Sequence, residues 1–483
     1  TKTLYGQKND PPKDNLTQIN AGTSRDQASG TMWGVRTFSY FGRLNYIMLD
    51  KYLFEFNLRR DASSRFKEGN RWGTFPGFSA AWRLSEEQFI QNLNIFSNLK
   101  LRFSYGKLGN QNIAGSWPYL TTITQNNGLS YSYNENFSPG AAVTSLVDPN
   151  ITWESSTSRD IGIDMGFLDN RVTIGANYFN KVTRDIIVQL PIPNVMGGVS
   201  PPYENEGKMV NKGFELEFNY RKQAQQREQF GANISANLTY TQNEVTKFRG
   251  GDSPDQLFLI REGYSYNALY GYNAIGIYQS DEEAAQHMHS NAYTPRAGEL
   301  KYEDLNDDGK LDYRDKKGLG NTIPKWTFGL NPKFNFKGFD LSMLFQGSAD
   351  LSVYTQNSMT TTFFSTPSIH EMWKDGWTPQ NTDTDIPAFR IENSWDLSRD
   401  SDFWIHDISF VKLKNIQLGY TWPDNITSQL GLQEIYVYAN AQNVFTIVDE
   451  EYPGYDPERS TFGSGTWMYP LPRMITMGVN LKF

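Results

Sequence analysis

The last nine residues of the chain, Ile475-Thr-Met-Gly-Val-Asn-Leu-Lys-Phe483, alternate between apolar and polar or small side chains. Successive side chains of a β-strand point to opposite faces, so this stretch predicts a strand with one apolar face. The same two-residue period recurs through most of the 483-residue sequence. The clearest further examples are residues 52–59, 99–106, 161–167, 172–178, 214–220, 232–240, 328–336, 339–345 and 416–420.

Two all-β, antiparallel folds share this alternation, a soluble sandwich and a transmembrane barrel. The polar positions favour the barrel, because many are Gly, Ser, Thr or Asn, as in a water-filled lumen. Asn233, Ser235, Asn237 and Thr239 are one such row. Only 38% of the residues are hydrophobic, which suits a barrel in which alternate residues face lipid. No apolar run approaches the roughly 18 residues of a membrane helix.

Composition limits the chemistry further. Aromatic residues make up 14% of the chain, which fits either a carbohydrate-binding β protein or a barrel with interfacial girdles. The absence of cysteine excludes disulfides, thiolate metal sites and cysteine nucleophiles. A net charge of −8 argues against nucleic acid as a partner. The start at Thr1 does not resemble a signal peptide, which suggests a processed chain or a piece of a longer one.

Short and long connections alternate between the predicted strands. In an outer-membrane barrel the short turns lie on one rim and the long loops on the other. Asp169-Asn170, Lys337-Gly338 and Gln223–Glu228 predict short turns on one rim. A phase slip between Leu413 and Asn415 predicts a β-bulge, and we expect 14 to 16 strands in all. A short helix is predicted from Asp281 to His289. The long loops of the other rim are predicted at residues 108–152, 187–210, 243–325, 348–402 and 448–470.

Several motifs resemble those of the SusC-like TonB-dependent transporters of Bacteroidetes, and the resemblance covers nearly the whole chain. The motifs, in chain order, are Phe41-Gly-Arg-Leu-Asn-Tyr46, Leu58-Arg-Arg-Asp-Ala-Ser-Ser-Arg-Phe66, Asn70-Arg-Trp-Gly-Thr-Phe-Pro-Gly-Phe-Ser79, Ala81-Trp-Arg-Leu-Ser-Glu-Glu87, Leu99-Lys-Leu-Arg-Phe-Ser-Tyr-Gly106, Tyr178-Phe-Asn-Lys181, Asn211-Lys-Gly-Phe-Glu-Leu216, Pro324-Lys-Trp-Thr-Phe-Gly-Leu330, Trp377-Thr-Pro379, Val411-Lys-Leu-Lys-Asn-Ile-Gln-Leu-Gly-Tyr-Thr421 and Ala441-Gln-Asn-Val-Phe-Thr446.

The resemblance implies a C-terminal portion, residues 1–483, of a 22-stranded transmembrane β-barrel in the outer membrane of a Gram-negative bacterium. The plug domain, the TonB box and the remaining barrel strands are absent from this chain and would lie in another part of the same transporter. The implied function is TonB-dependent import of a bulky nutrient, an oligosaccharide or an oligopeptide. The implied partners are TonB with ExbB and ExbD and a SusD-like surface lipoprotein, and no enzymatic activity is expected. A passive porin, a non-transporting receptor or adhesin, and a soluble lectin are the alternatives.

One loop motif predicts a metal site. Residues 304–315 fit the calcium-loop pattern D-x-[DN]-x-[DN]-G-x5-E, with Asp in place of the final Glu. Calcium takes six to eight oxygen ligands, and Gly309 would provide the sharp turn. Structural Ca²⁺ is the one cofactor expected, and no organic cofactor is expected. The alternative is an Asp- and Asn-rich turn without metal. The ligands would be Asp304, Asn306, Asp308, Lys310 through its carbonyl group, Asp312 and Asp315.

Other candidate residues have simpler explanations. His287 and His289 form an H-x-H pair without an evident third ligand, so a solvated loop is favoured. The acidic run at residues 281–283 resembles a solvated surface more than a pair of catalytic carboxylates. Trp373 and Trp377 are weak candidates for substrate contact, and girdle anchoring or loop packing explains them equally well. The same holds for Trp404 and Trp467.

Phe483 closes an alternating strand at the end of the chain. It is one more lipid-facing aromatic residue, and it also fits a terminal motif recognised by the barrel assembly machinery.

We expect Phe483→Ala to reduce the amount of receptor assembled at the cell surface more than it lowers the stability of the molecules that do fold. Surface labelling of cells and denaturant unfolding of the purified receptor would measure the two effects. Normal surface levels of the variant would contradict the assembly role.

Overall fold

In the computed structural model, β1 (Lys2–Asn9) and β2 (Ser24–Met32) form a separate two-stranded sheet. One antiparallel sheet of thirteen strands dominates the rest of the described chain. The described residues are 2–9, 24–32, 34–113, 117–133, 136–250, 256–287, 293–356, 371–390, 399–454, 456–458 and 471–483.

The strands of the large sheet pair in chain order as an up-and-down meander, so each strand lies beside the preceding and the following one. The strands, in chain order, are β3 (Thr37–Met48), β4 (Tyr52–Ser63), β5 (Trp72–Arg83), β6 (Phe96–Asn110), β9 (Glu154–Phe167), β10 (Val172–Gln189), β11 (Tyr203–Lys222), β12 (Gly231–Lys247), β18 (Trp326–Phe336), β19 (Phe339–Ala349), β22 (Phe410–Thr421), β23 (Glu434–Val448) and β24 (Met474–Lys482).

The remaining strands lie in the long loops, where they pair among themselves, and most of them have five residues or fewer. They are β7 (Ile123–Tyr133) with β8 (Asn136–Val143), β13 (Phe258–Leu259) with β14 (Ala268–Tyr272) and β17 (Lys316–Gly320), β15 (Ala274–Ile277) with β16 (Leu300–Tyr302), and β20 (Ser352–Tyr354) with β21 (Ile405–Asp407). Helices are short: α1 (Gln88–Gln91), α2 (Asp281–Gln286), α3 (Asp424–Thr427), and 3-10 turns at Leu84–Glu86, Asn194–Met196, Tyr313–Asp315, Glu371–Asp375, Asp402–Trp404 and Ser428–Leu430.

The strand register joins the apolar positions of the thirteen strands into one continuous face. Leu216 pairs with Ala176 on one side and with Leu238 on the other, and the same matching continues from strand to strand. This face is open rather than covered by protein, since Ile475 is 72% exposed and Met477 is 80% exposed. An exposed apolar face of this extent is typical of contact with lipid.

Aromatic residues cluster at the end of this face that lies nearest the long loops. Tyr40 and Trp72 stack with ring centroids 6.0 Å apart. Phe214, Tyr240 and Trp326 form a three-ring cluster with centroids 4.7 to 5.7 Å apart. Such rings mark the boundary between lipid tails and the polar interface.

A second set of aromatic residues lies at the opposite end of the same face. Tyr52 stacks on Trp82 at 6.0 Å, and Phe339 packs against Tyr420 at 4.5 Å. Trp72 is the first and Trp82 the penultimate residue of the twelve-residue strand β5, which separates them by about 34 Å along the strand. With the strand tilt of about 35–45° usual for such barrels, the two girdles lie about 25 Å apart across the membrane.

The opposite face of the sheet is polar and internally paired. Asp164 accepts hydrogen bonds from the guanidinium group of Arg102 at 2.8 and 2.9 Å and forms an ion pair with Lys100 at 2.9 Å. Further along, Tyr436 donates a hydrogen bond to Asp340 at 3.0 Å. This face has the character of the wet lumen that the sequence predicted.

The structure confirms that short turns lie on one rim of the sheet and the longest connections on the other. Lys337 and Gly338 join β18 to β19 with φ angles of 51° and 86°, the left-handed conformations that a two-residue hairpin turn requires. Residues 223–230 join β11 to β12 on the same rim. On the other rim, the long connections are residues 111–153, 248–325, 350–409 and 449–473.

Three details differ from the sequence predictions or refine them. The large sheet has thirteen strands in the described residues rather than 14 to 16, and β1 and β2 pair with each other in a separate sheet. The predicted loop 187–210 is shorter, since β10 and β11 stay paired as far as Gln189 and Tyr203. The helix predicted to reach His289 ends at Gln286. The bulge between Leu413 and Asn415 is confirmed as a register shift.

No helix among the described residues is both long enough and apolar enough to cross a membrane.

An added positive charge should destabilise the sheet much more on its apolar face than on its polar face. We expect Leu216→Lys, near the middle of the apolar face, to lower the free energy of unfolding in lipid vesicles by about 2–4 kcal/mol. Glu217→Lys, the matched control on the neighbouring inward position of β11, should have a much smaller effect. Denaturant titration of the full-length receptor measures both, and equal losses from the two variants would contradict the assignment of the faces.

Candidate functional site

Two of the long loops fold together above the inner face of the sheet. We call residues 256–287, 293–325, 350–356, 371–390 and 399–409 the loop assembly. Its apolar core contains Tyr302, Leu300 and Trp377, all buried. Backbone hydrogen bonds join its parts, for example from Tyr272 to the carbonyl group of Asp400 at 2.9 Å. The loops are therefore a packed unit on which side chains hold fixed positions.

Two acidic residues strengthen the junction between these loops. Asp402 accepts a hydrogen bond from the backbone N–H of Ala274 at 2.8 Å, and burial raises the pKa of this carboxyl group. Tyr354 donates to Asp400 at 2.8 Å, and burial together with the Asp400 charge raises the pKa of the Tyr354 hydroxyl. The Tyr354 hydroxyl therefore stays neutral at physiological pH and can donate this hydrogen bond. These polar contacts hold the loops of the assembly against each other.

The predicted calcium loop forms a tight turn in this assembly. Gly309 has a φ of +74°, which confirms the sharp turn predicted there. Asp304 accepts hydrogen bonds from the backbone N–H of Gly309 at 2.8 Å and of Asp308 at 3.3 Å. Desolvation acts to raise the pKa of Asp304, but these N–H donors lower it overall. The side chains of Asn306 and Asp308 likewise accept hydrogen bonds from the backbone N–H groups two residues further on.

The second half of the motif caps a 3-10 turn. Asp312 accepts the backbone N–H of Arg314 at 2.8 Å, and contacts with Arg314 lower the pKa of Asp312. Asp315 is fully buried and accepts N–H groups from Asp312 at 2.8 Å and Leu305 at 3.2 Å. Burial raises the pKa of Asp315, and the charges of Asp304 and Asp312 raise it further.

The turn therefore has the oxygen-rich donor set that calcium prefers, but an internal cation already neutralises part of it. Arg314 forms ion pairs with both Asp308 and Asp312. Within the described residues, no three His, Asp or Glu side chains converge in a way that could hold a metal ion. Calcium binding at Asp304, Asn306, Asp308, Lys310, Asp312 and Asp315 stays a proposal, and it requires Arg314 to move away from the two carboxylates.

The other polar candidates of the assembly have local partners. His287 hydrogen-bonds through Nδ1 to the hydroxyl group of Tyr278 at 2.8 Å, and His289 lies outside the described residues. Glu283 forms an ion pair with Lys301 at 3.0 Å and accepts the backbone N–H of Gln279. These contacts fit a capped helix and give no pair of carboxylates held across a cleft.

The tryptophan candidates differ in their burial. Trp377 is 8% exposed and donates its indole N–H to Gln279 at 3.0 Å, so its ring packs inside the loop assembly. Trp404 is fully buried. Trp373 is half-buried and lies 6.4 Å from Trp404, centroid to centroid. Substrate contact by Trp373 and Trp377 stays a prediction, and Trp467 lies outside the described residues.

A group of ion pairs on the inner face of the sheet was not predicted from the sequence. Lys412, whose side chain is fully buried, contacts both carboxylate oxygens of Asp456 at 2.8 Å and Glu458 at 3.3 Å. Lys414 contacts Glu458 at 2.7 Å. The connection that follows β23 is thus fixed against β22. The alternating Lys and acidic residues were visible in the sequence, but their partners are more than forty positions apart.

A pocket of about 370 Å³ was also missed. It lies at the long-loop end of β10, β11 and β12, beneath the segment that follows β12. The sequence gives no local sign of it, because its walls come from three strands and a loop. Its lining is part apolar and part polar. The apolar residues are Ile186, Ile187, Val188, Met209, Val245, Phe248 and Ile260, and the polar ones are Glu154, Thr183, Lys208, Lys247 and Tyr266.

A thirteen-stranded antiparallel sheet with a lipid-facing outer surface, two aromatic girdles and an ion-paired inner wall defines an integral outer-membrane β-barrel protein. The chain belongs to the TonB dependent receptor-like, beta-barrel family, whose model it matches over residues 2–443. The long-loop rim is accordingly the extracellular rim, and the short-turn rim is periplasmic.

Curated relatives agree with this assignment. The chain is 31% identical to the TonB-dependent receptor SusC of Bacteroides thetaiotaomicron, over 92% of this chain and 43% of that protein. It is 30% identical to the TonB-dependent receptor P3 of Formosa agariphila, over 96% of this chain and 47% of that protein. The resemblance to SusC-like proteins is confirmed, and the chain spans about half the length of the curated relatives it matches.

The fold is also that of solved structures. The structure of the RagAB peptide transporter matches 98% of this chain and 50% of its own chain, with a TM-score of 0.75 and 24% sequence identity. This likeness extends over both the large sheet and the loop assembly, and it confirms the architecture as part of a larger barrel.

The calcium proposal predicts a chelator-dependent loop. We expect a chelator to speed proteolytic cleavage between residues 293 and 325 in the full-length receptor, because removing the ion frees the turn. In the double variant Asp304→Ala, Asp308→Ala, cleavage should be fast with and without chelator. Glu282→Ala, an acidic residue of α2 outside the turn, is the matched control and should behave like the unchanged protein. Cleavage that does not respond to chelator in any of these proteins would contradict calcium binding.

Proposed function

We propose that this chain forms the C-terminal part of the barrel of an active importer, which moves a bulky nutrient across the outer membrane with energy supplied through TonB, ExbB and ExbD. The observation that carries this proposal is the polar, ion-paired inner wall that leads down from the extracellular loop assembly. A lumen of this kind passes water-soluble cargo through a surface that is otherwise apolar. Membership of the TonB-dependent receptor family supports the energy source.

We further propose that a SusD-like lipoprotein covers the extracellular loops and that substrate is held between the lipoprotein and the barrel. The support is the resemblance to SusC together with the packed loop assembly, which offers a fixed surface rather than separate loops. Both an oligosaccharide and an oligopeptide are consistent with this role. Release inward would depend on parts of the receptor that lie outside this chain.

A passive porin and a non-transporting receptor or adhesin share the same scaffold, and they differ from an importer in how they use energy. A porin passes its substrate down a gradient, so its uptake does not depend on TonB. An adhesin binds its ligand and takes nothing in. The dependence of uptake on TonB therefore separates the three functions.

We expect cells that carry the full-length receptor to accumulate cargo only when TonB is present. The probes are a fluorescent mixture of oligopeptides and a fluorescent mixture of oligosaccharides, each given to cells with and without TonB. Cells that lack the receptor provide the background. Accumulation that persists without TonB would indicate a porin, and surface binding without accumulation in either strain would indicate an adhesin.

A further inference from the structure

We propose that a band of cationic side chains on the lipid-facing surface binds the phosphate groups of lipid A, the phosphorylated glycolipid that anchors lipopolysaccharide in the outer leaflet of the membrane. We call the four residues the cationic band. The inference concerns the lipid around the receptor, so it does not depend on which cargo the receptor imports. The band consists of Arg60 on β4, Lys107 on β6, Arg159 on β9 and Lys212 on β11.

The strand register places Arg159 and Lys212 on the outer face. Both are paired with Asn180, which lies between them on β10. Lys212 is two positions from Phe214 of the extracellular girdle, and residues two positions apart on a strand share a face. Paired residues of neighbouring strands also share a face, so Asn180 and Arg159 point outward as well. The three positions form one row just beyond the girdle, on the extracellular side.

Lys107 and Arg60 belong to the same surface. Tyr105 pairs with Arg159, and Lys107 is two positions beyond Tyr105 on β6. The guanidinium carbon of Arg60 lies 5.0 Å from the ring centroid of Trp72, a residue of the extracellular girdle. On each of the four strands, the cation is the first charged residue that follows the apolar outward-facing positions. The outward-facing residues that precede the cations are Leu58, Tyr105, Ile161 and Phe214.

The cationic band is not neutralised by the described part of the protein. None of the described residues places a carboxylate group within ion-pairing distance of any of its four cations. On the inner face, by contrast, Lys100 and Arg102 share the carboxylate group of Asp164. Arg159 is exposed, and Lys212 is half-buried. Cations at the edge of the lipid face are therefore available to an anion supplied by the membrane.

The neighbouring polar side chains suit a sugar headgroup. Asn180 lies between Arg159 and Lys212, and Gln242 follows Lys212 in the same row. Amide groups hydrogen-bond to phosphate oxygens and to sugar hydroxyl groups alike. The two cations are two strands apart, about 10 Å between backbones, so both long side chains can contact a single headgroup. The first outward-facing acidic residue of β12, Glu244, lies two positions further from the membrane than Gln242.

The opposite end of the outer face carries no comparable band on these four strands. Near the periplasmic rim their outward-facing residues are apolar or aromatic, and Lys222 of β11 is the single cation that follows them. In a Gram-negative outer membrane, lipopolysaccharide occupies the extracellular leaflet and phospholipid the periplasmic one. The cations thus lie in the leaflet whose lipid carries phosphate groups on a sugar. The periplasmic residues are Tyr52, Leu99, Phe167 and Tyr220.

The two parts of lipid A match the two parts of this surface. The planar guanidinium group of arginine can donate two hydrogen bonds to one phosphate group, and lysine contributes a compact positive charge. The acyl chains would lie against Ile161, Tyr178 and Phe214, which continue the apolar face toward the membrane centre. Aromatic residues at this depth are usual partners of the region between headgroups and acyl chains.

The test measures lipid binding to the purified full-length receptor in detergent by native mass spectrometry, which counts the lipids that each molecule retains. The probes are lipid A, lipid A without its phosphate groups, and phosphatidylglycerol. We expect lipid A to bind at least about tenfold more tightly than the other two. The double variant Arg159→Gln, Lys212→Gln should lose about tenfold or more in affinity for lipid A, because two phosphate contacts are removed. Arg159→Lys with Lys212→Arg keeps both charges and should stay within about threefold of the unchanged receptor.

The matched control is the double variant Lys181→Gln, Lys333→Gln, which removes two exposed cations from inward positions of β10 and β18. It should bind lipid A like the unchanged receptor, and a gel-shift assay should show that all variants fold. Unchanged affinity in Arg159→Gln, Lys212→Gln would overturn the proposal, and so would an equal loss in the control. Binding of dephosphorylated lipid A as tight as that of lipid A would exclude phosphate recognition. Equally tight binding of phosphatidylglycerol would show attraction to any anionic lipid and would overturn the assignment to lipid A.

Discussion

Every peptide group of this sheet that crosses the membrane must find its hydrogen-bond partner within the protein, because the lipid interior offers none. A β-strand meets that requirement only by pairing with neighbours on both sides, and eleven of the thirteen strands do so in one antiparallel series within this chain. The pairing fixes the register, and the register in turn places every second side chain on the lipid face. The apolar outer face, the girdles and the polar inner wall all follow from this one constraint.

The same constraint explains why the sheet was predictable from the sequence. A two-residue period is a local property, so β11 and β12 could be recognised from residues 214–220 and 232–240 alone. The turn at Lys337-Gly338 was predictable because it lies directly between two alternating segments and contains a glycine, which adopts the left-handed conformation without steric cost. The bulge near Lys414 was also predictable, because the alternation of apolar and polar residues changes phase there.

The loops were predicted only as long connections, and their folding was not foreseen. Tyr272 and Asp400 are joined by a backbone hydrogen bond across more than 120 residues, and no local pattern marks such a contact. The calcium motif was located correctly as a tight turn at Gly309, but the ion pairs of Arg314 with Asp308 and Asp312 depend on side-chain placement that a motif does not specify.

The two faces of the sheet can be measured position by position with single cysteines, and none of the 483 residues of this chain is a cysteine that would have to be replaced first. Single cysteines would be introduced at successive positions from Phe214 to Tyr220 of the full-length receptor in lipid vesicles. Each cysteine would carry a fluorophore and be exposed to a lipid-soluble or a water-soluble quencher. The fold predicts that even-numbered positions respond to the lipid quencher and odd-numbered positions to the aqueous one. Quenching that does not alternate along this strand would contradict a sheet that spans the membrane.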